Sequence, residues 1–237
     1  MAQHHLQTPE GTLEYALVRS ARKTIGFEIR PDGALIVRAP LRLALTHIED
    51  ALRQRAAWIH KHQTRLRQKP APEPLMPSTL SDGATLRYLG EPLTLRLRQT
   101  PREQVIQEGH ELVLCLRDPR DEPCAKRILE AWLKGQAQQV FAERLALCFP
   151  LIAPYGVAFP ALKVRLARSR WGSCSNKGGV MLNRKLIHLP VALIDYVIVH
   201  ELCHLVHFNH SRAFYTLMSA LMPDWLARRT ALRHEQT

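Results

Sequence analysis

From Leu193 to Phe208 the chain is apolar nearly all round, yet His200, Glu201 and His204 sit inside the run. Such a segment reads as a buried helix at the centre of its domain. Pro190 suits its start, since the missing N–H is not needed in a first helical turn. Ionisable groups in a buried helix require a purpose, because burying them unpaired is unfavourable. At about 100° per residue, His200 and His204 stand about 40° apart around the axis and one turn apart along it, so their imidazoles can converge on one ion. Glu201 projects beside them. In this H-E-x-x-H arrangement the two histidines bind zinc and the glutamate deprotonates a zinc-activated water.

A third ligand stands six residues after His204, at His210. On a continuous helix it would point about 240° away from His204, so the helix must end between them. Asn209, tolerant of the left-handed conformation that closes helices, is the expected stop. Three imidazoles leave the fourth tetrahedral position open, as a catalytic zinc site requires. The expected cofactor is therefore one zinc ion on His200, His204 and His210, with Glu201 as general base. His207 reads as a solvent-facing imidazole at the helix end, although a metzincin carries its turn glycine at that place. Cys203 faces away from the histidine pair and reads as core packing, as do Met218 and Met222.

The net charge of +12 and pI near 10.0 favour an acidic partner such as nucleic acid, DNA included. The basic residues are interspersed with apolar ones, as in Thr64-Arg-Leu-Arg-Gln-Lys69, so solvated faces account for most of them. Five cysteines without CxxC spacing argue against a disulfide framework and against a thiolate zinc site. The polar start, Met1 to Glu10, shows no secretory signal, and no run is apolar enough to cross a bilayer. The expected location is cytoplasmic, with no membrane partner.

Elsewhere, alternating runs at Leu13–Val18, Thr24–Arg30 and Ala34–Val37, the last two joined by Pro31-Asp32-Gly33, predict a small antiparallel sheet. Helical spacing predicts one long helix over about residues 43–67. Lys69 to Pro77 holds four prolines in nine residues and reads as a connector. Strand signals at Ala84–Tyr88, Leu93–Leu97, Gln104–Gln107 and Glu111–Leu116 predict meandering β-structure. A second long helix follows Pro123 and ends near Cys148, before Pro150, Pro154 and Gly156. Val164–Ser169 and Val180–Leu186 are expected to form a hairpin around Ser175-Asn-Lys-Gly-Gly179. No internal repeat is evident.

Arg170-Trp-Gly-Ser-Cys-Ser175, Asn183, Pro190, Asp195-Tyr196, His200-Glu-Leu-Cys-His-Leu205, Asn209-His210-Ser211 and Phe214 together resemble the YgjP-like, SprT-related zinc metallopeptidases. Arg30-Pro-Asp-Gly33, Val37-Arg-Ala-Pro40 and Ala57-Trp58-Ile59 extend the resemblance over nearly the whole chain from about residue 13. It implies zinc ligation by His200, His204 and His210 with Glu201 as base, in agreement with the spacing argument. SprT-related proteins include proteases acting at protein–DNA crosslinks, which bears on the basic charge.

The expected fold is α+β: a β-rich amino-terminal part with one long helix over residues 1–118, then a zincin-like part over 119–237 built on the H-E-x-x-H helix, the two forming one compact unit. The expected function is zinc-dependent hydrolysis of peptide bonds in a peptide or protein substrate. Its rival is a basic nucleic-acid-binding protein whose zinc site is structural or vestigial. Trp171 and Ser173, beside an edge strand able to pair with an extended peptide, and Tyr196 and Tyr215 are the candidate substrate or transition-state contacts. Arg170 and His207 are further candidates for stabilising an oxyanion. Asp195 is a candidate to orient an imidazole.

Overall fold

A computed structural model describes residues 2–30, 33–68, 75–176 and 178–235. The chain divides into two compact units, Met1–Pro72 and Glu73–Gln236. The first has strands β1 (Ala2–Thr8), β2 (Gly11–Ser20), β3 (Gly26–Ile29) and β4 (Leu35–Pro40), followed by helices α1 (Leu45–Arg53) and α2 (Ala56–Gln68). Its sheet runs β1-β2-β4-β3. The outer pairs are antiparallel but β2 and β4 are parallel, so the sheet is mixed rather than antiparallel. Pro31 and Asp32 of the expected turn lie outside the described residues. Alternation turns Leu13, Tyr15, Leu35 and Val37 onto a core shared with Ile48, Leu52, Ala56 and Ile59. The expected single helix is broken at Gln54 and Arg55, where Arg55 N–H donates three residues back to Leu52 O at 3.0 Å. The apolar stripe continues through the break, and for that reason its periodicity concealed it.

The second unit opens with β5 (Thr85–Tyr88), β6 (Glu91–Gln99), β7 (Gln104–Glu108) and β8 (Glu111–Leu116), in the order β5-β6-β8-β7 with β6 and β8 parallel. This is not a meander; it repeats the strand order and pairing senses of the first sheet. The repeat is hidden in the sequence because the two copies share a pattern of apolar alternation and little else.

Helix α3 (Glu122–Cys148) starts where Asp121 Oδ1 accepts from Cys124 N–H at 2.9 Å, with proline in its first turn. Two 3-10 turns and Gly156, at φ +75°, close it. Next come β9 (Ala161–Arg165), β10 (Gly172–Cys174) and β11 (Gly179–Asn183), in the order β10-β11-β9. The hairpin partner of β11 is therefore Gly172–Cys174 and not Val164–Ser169, and β9 runs parallel to β11 on its other side. Its turn holds Gly178 at φ +75°, while Lys177 lies outside the described residues. A 3-10 turn, Arg184–His188, leads into α4 (Val191–Cys203), α5 (Arg212–Leu221) and α6 (Trp225–His234).

The expected boundary at residue 118 falls inside this unit, because the β5–β6 hairpin is bonded to the entrance of α4. Its two turn residues both have positive φ, Leu89 at 51° and Gly90 at 92°, which matches the twist of a two-residue hairpin. Leu89 N–H donates to Ile187 O at 2.8 Å and Gly90 N–H to His188 O at 3.3 Å. A Cβ on Gly90 would lie 2.8 Å from Pro190 Cγ. His188 Nδ1 donates to Arg87 O at 2.7 Å, and Arg87 pairs with Glu235 at 2.8 Å. The connector residues 69–74 lie outside the described residues, and among those described no helix is long and apolar enough to cross a membrane.

Candidate metal centre

Helix α4 is buried on every side, with Ile194, Val197, Ile198, Val199 and Leu202 all in the core. It carries His200 and Glu201 in its last turn, and His204 is its C-cap. The helix stops there without a left-handed residue: among the described residues Leu89 is the one non-glycine with positive φ, so Asn209 does not end it as expected. Val206 and His207 N–H both donate to Cys203 O, at 3.1 and 2.9 Å, tightening the last turn before the chain swings away. Ser211 then caps α5 by accepting from Phe214 N–H at 3.4 Å, and His210, just ahead of that cap, is returned to the other two histidines.

The three imidazoles meet. Their potential ligand nitrogens lie within 4.8 Å of one another, with His200 Nε2 and His210 Nε2 at 3.1 Å. Phe214, fully buried, forms a floor beneath all three rings, its centroid 5.1, 4.6 and 4.9 Å from His200, His204 and His210. Tetrahedral ligation at about 2.0–2.1 Å needs nitrogen pairs roughly 3.4 Å apart, so the trio fits a zinc-sized cation with small rotamer adjustments. His204 Nδ1–H donates to His207 O at 3.0 Å, which turns Nε2, unprotonated, toward the centre. His207 thus acts through its carbonyl, a role its side chain did not suggest. Burial pushes the His200 imidazole down to about 3, with His204, His210 and Arg229 adding to the effect. Burial also lowers His204, against the pull of the His207 carbonyl. Both are held in the neutral form that binds metal.

Glu201 is 5% exposed and packs against β10. A Cβ on Gly172 would stand 2.6 Å from Glu201 Oε1 and 2.8 Å from its Cγ, so residue 172 must be glycine if the carboxylate is to stay where it is. Burial pushes this carboxyl up to about 8, opposed by the Arg170 charge and the Cys174 N–H bond. Trp171 O accepts from Asn183 N–H and Gly179 O from Ser175 N–H, so the alternation of an antiparallel pair leaves the main-chain groups of Gly172 and Cys174 on the outer edge of β10. Asn183, buried, fixes the approach to that edge: its Nδ2 donates to Ala167 O and Arg170 O, both at 2.9 Å, and its Oδ1 accepts from Lys185 N–H at 3.1 Å.

Trp171 and Tyr196 line a pocket of about 200 Å3 with Gly172, His200, Glu201 and Leu232, and among the described residues the buried Trp171 Nε1 has no hydrogen-bond partner. Tyr215 stands on the other flank, its ring 6.1 Å from His210. Ser173 lies on β10 but does not line the Trp171 pocket. Asp195 orients no imidazole; Arg144 of α3 binds it in a fork at 2.8 and 2.5 Å, tying α3 to the back of α4. Cys203 Sγ and Met218 Sδ meet at 3.8 Å in the core.

The class so defined is a mixed α+β protein whose central helix presents a three-histidine candidate metal centre beside a buried glutamate. The sequence profile described as YgjP-like, metallopeptidase domain matches residues 23–235, and the chain belongs to that family. No curated protein and no solved structure matches it.

Proposed function

We propose that the protein is a zinc-dependent metallopeptidase of zincin-like design. His200, His204 and His210 hold one zinc ion and Glu201 is the general base. The observation that carries this reading is the convergence of three imidazoles within 4.8 Å, with Glu201 held beside them by its contact with Gly172. When bound, zinc polarises a carbonyl and makes water acidic enough to lose a proton near neutral pH. Glu201 takes that proton at its carboxylate and returns it to the leaving amine. The outward main-chain groups of Gly172 and the carbonyl of Cys174, whose N–H is bonded to Glu201, pair with an extended peptide as an added strand. Trp171 and Tyr196 line the pocket on the Glu201 side, and Tyr196, one turn before His200, is the residue we assign as donor to a developing oxyanion. The charge of +12 supports protein substrates lying on an acidic surface such as DNA.

Hydrolysis of casein by the zinc-loaded protein, with and without added duplex DNA, tests the reading. Wild type is expected to cleave and Glu201→Gln to be slower by about 10²-fold or more. Equal rates in the two proteins would refute Glu201 as base, and no cleavage by wild type under either condition would refute the peptidase.

A further inference from the structure

A second pocket, of about 170 Å3, opens beside the triad and is not lined by Glu201. Tyr196, His200, His210, Tyr215, Trp225 and Arg229 form its walls. Its only permanent charge is that of Arg229. This guanidinium is positioned by a column of rings: His210 on Tyr215 at 6.1 Å, Tyr215 on Trp225 at 5.3 Å, and Arg229 Cζ 5.9 Å from the Trp225 centroid. Trp225 is itself pinned by its Nε1–H, which donates to Ser219 Oγ at 2.9 Å.

No carboxylate of the described residues meets Arg229. Of the acids on or near these helices, Asp224 pairs with Arg228 at 2.8 Å, Asp195 with Arg144 and Glu235 with Arg87 at 2.8 Å, while Glu201 is buried against Gly172 and does not line this pocket. Arg229 is half-buried, and its charge reaches both His200 and Tyr196. A planar fork of donors, held by packing and left without an anion in a cleft beside the reacting centre, is suited to a carboxylate that arrives with the substrate. The pocket is smaller than the several hundred Å3 of a typical small-molecule cleft; it takes one short acidic side chain or a chain terminus.

We propose that Arg229 is a specificity-determining residue that binds a substrate carboxylate next to the scissile bond, in the pocket beside His200 and His210. The carboxylate comes from an Asp or Glu side chain or from a free peptide C-terminus. This rests on the peptidase reading above, which supplies the scissile bond.

The test uses the full-length, zinc-loaded Glu201→Gln protein, so that bound peptide is not consumed. Four fluorescein-labelled alanine hexapeptides serve as probes, carrying a central Glu or Gln and ending in a free carboxylate or an amide, with binding read by anisotropy. At least one carboxylate-bearing peptide is expected to bind about tenfold or more tighter than its amide counterpart, and the pairwise comparison identifies which carboxylate is read. Arg229→Gln in the same background abolishes the preference and Arg229→Lys partly restores it, with zinc content and melting temperature unchanged in both. Equal binding of all four peptides, binding of none, or a preference that survives Arg229→Gln would overturn the proposal. Zinc content and casein hydrolysis by wild type, measured separately, distinguish the two failures. The Arg229-dependent preference in a zinc-loaded protein whose wild type cleaves no casein contradicts only the peptidase reading, and a zinc-loaded protein without the preference contradicts only this one.

Discussion

At the scale of single residues, the position of Glu201 depends on the absent side chain of Gly172. A methyl group there would stand 2.6 Å from Glu201 Oε1, closer than non-bonded atoms tolerate, and the neighbour is a buried carboxylate with little room to yield. Gly172→Ala is therefore expected to displace the base without touching the imidazoles. Casein hydrolysis should fall by about 10²-fold or more while one zinc per chain is retained; an unchanged rate would show that this contact does not hold the carboxylate. His200, Glu201 and His204 were legible in the sequence because one helical turn relates them. The return of His210 to the other two imidazoles was legible once the helix was required to end, although the end comes at His204 by 3-10 tightening and not at Asn209. The demand on Gly172 and the His207 carbonyl bond were not legible, since each joins groups whose proximity is set by how the chain turns between elements.

Among the elements, β10 is three residues long and lacks alternation, which explains why its place in the hairpin was given to Val164–Ser169. The segment that leads into this short strand is braced by Asn183 at the end of β11. Both of its amide hydrogens and its carbonyl oxygen are used, bonding Ala167 O, Arg170 O and Lys185 N–H in a buried setting. Asn183→Ala leaves those groups without partners and is expected to destabilise the protein by about 1–3 kcal/mol, read as a lower midpoint of urea unfolding with an unchanged slope. A midpoint equal to wild type would mean that the Arg170–Gly172 segment is held by other contacts. Helices α3 and α4 were readable as elements from their apolar spacing and prolines, but the Arg144–Asp195 fork between them was not, because either residue alone looks like solvated surface.

For the whole molecule, the composition and the alternating runs announced an α+β protein but placed the internal boundary too late. Among the described residues there are two hydrophobic cores, one formed wholly by residues of the first unit and the other wholly by residues of the second. The second includes β5 to β8 together with α3 to α6, so the amino-terminal sheet that ends at β4 is the separable one. A fragment covering residues 75–237 is expected to unfold cooperatively on heating and to bind one zinc, whereas a fragment beginning at 119, stripped of β5 to β8, should not fold. Cooperative melting of the shorter fragment would contradict the packing of the β5–β8 sheet onto the core of the metal centre. The central claim is tested most directly by the metal content of the purified, zinc-reconstituted protein beside its His204→Ala and Glu201→Gln variants. The expected result is about one zinc per chain in wild type and Glu201→Gln and a large loss in His204→Ala; a wild type that binds no zinc, or a His204→Ala protein that binds it as well, would contradict the assignment of the site.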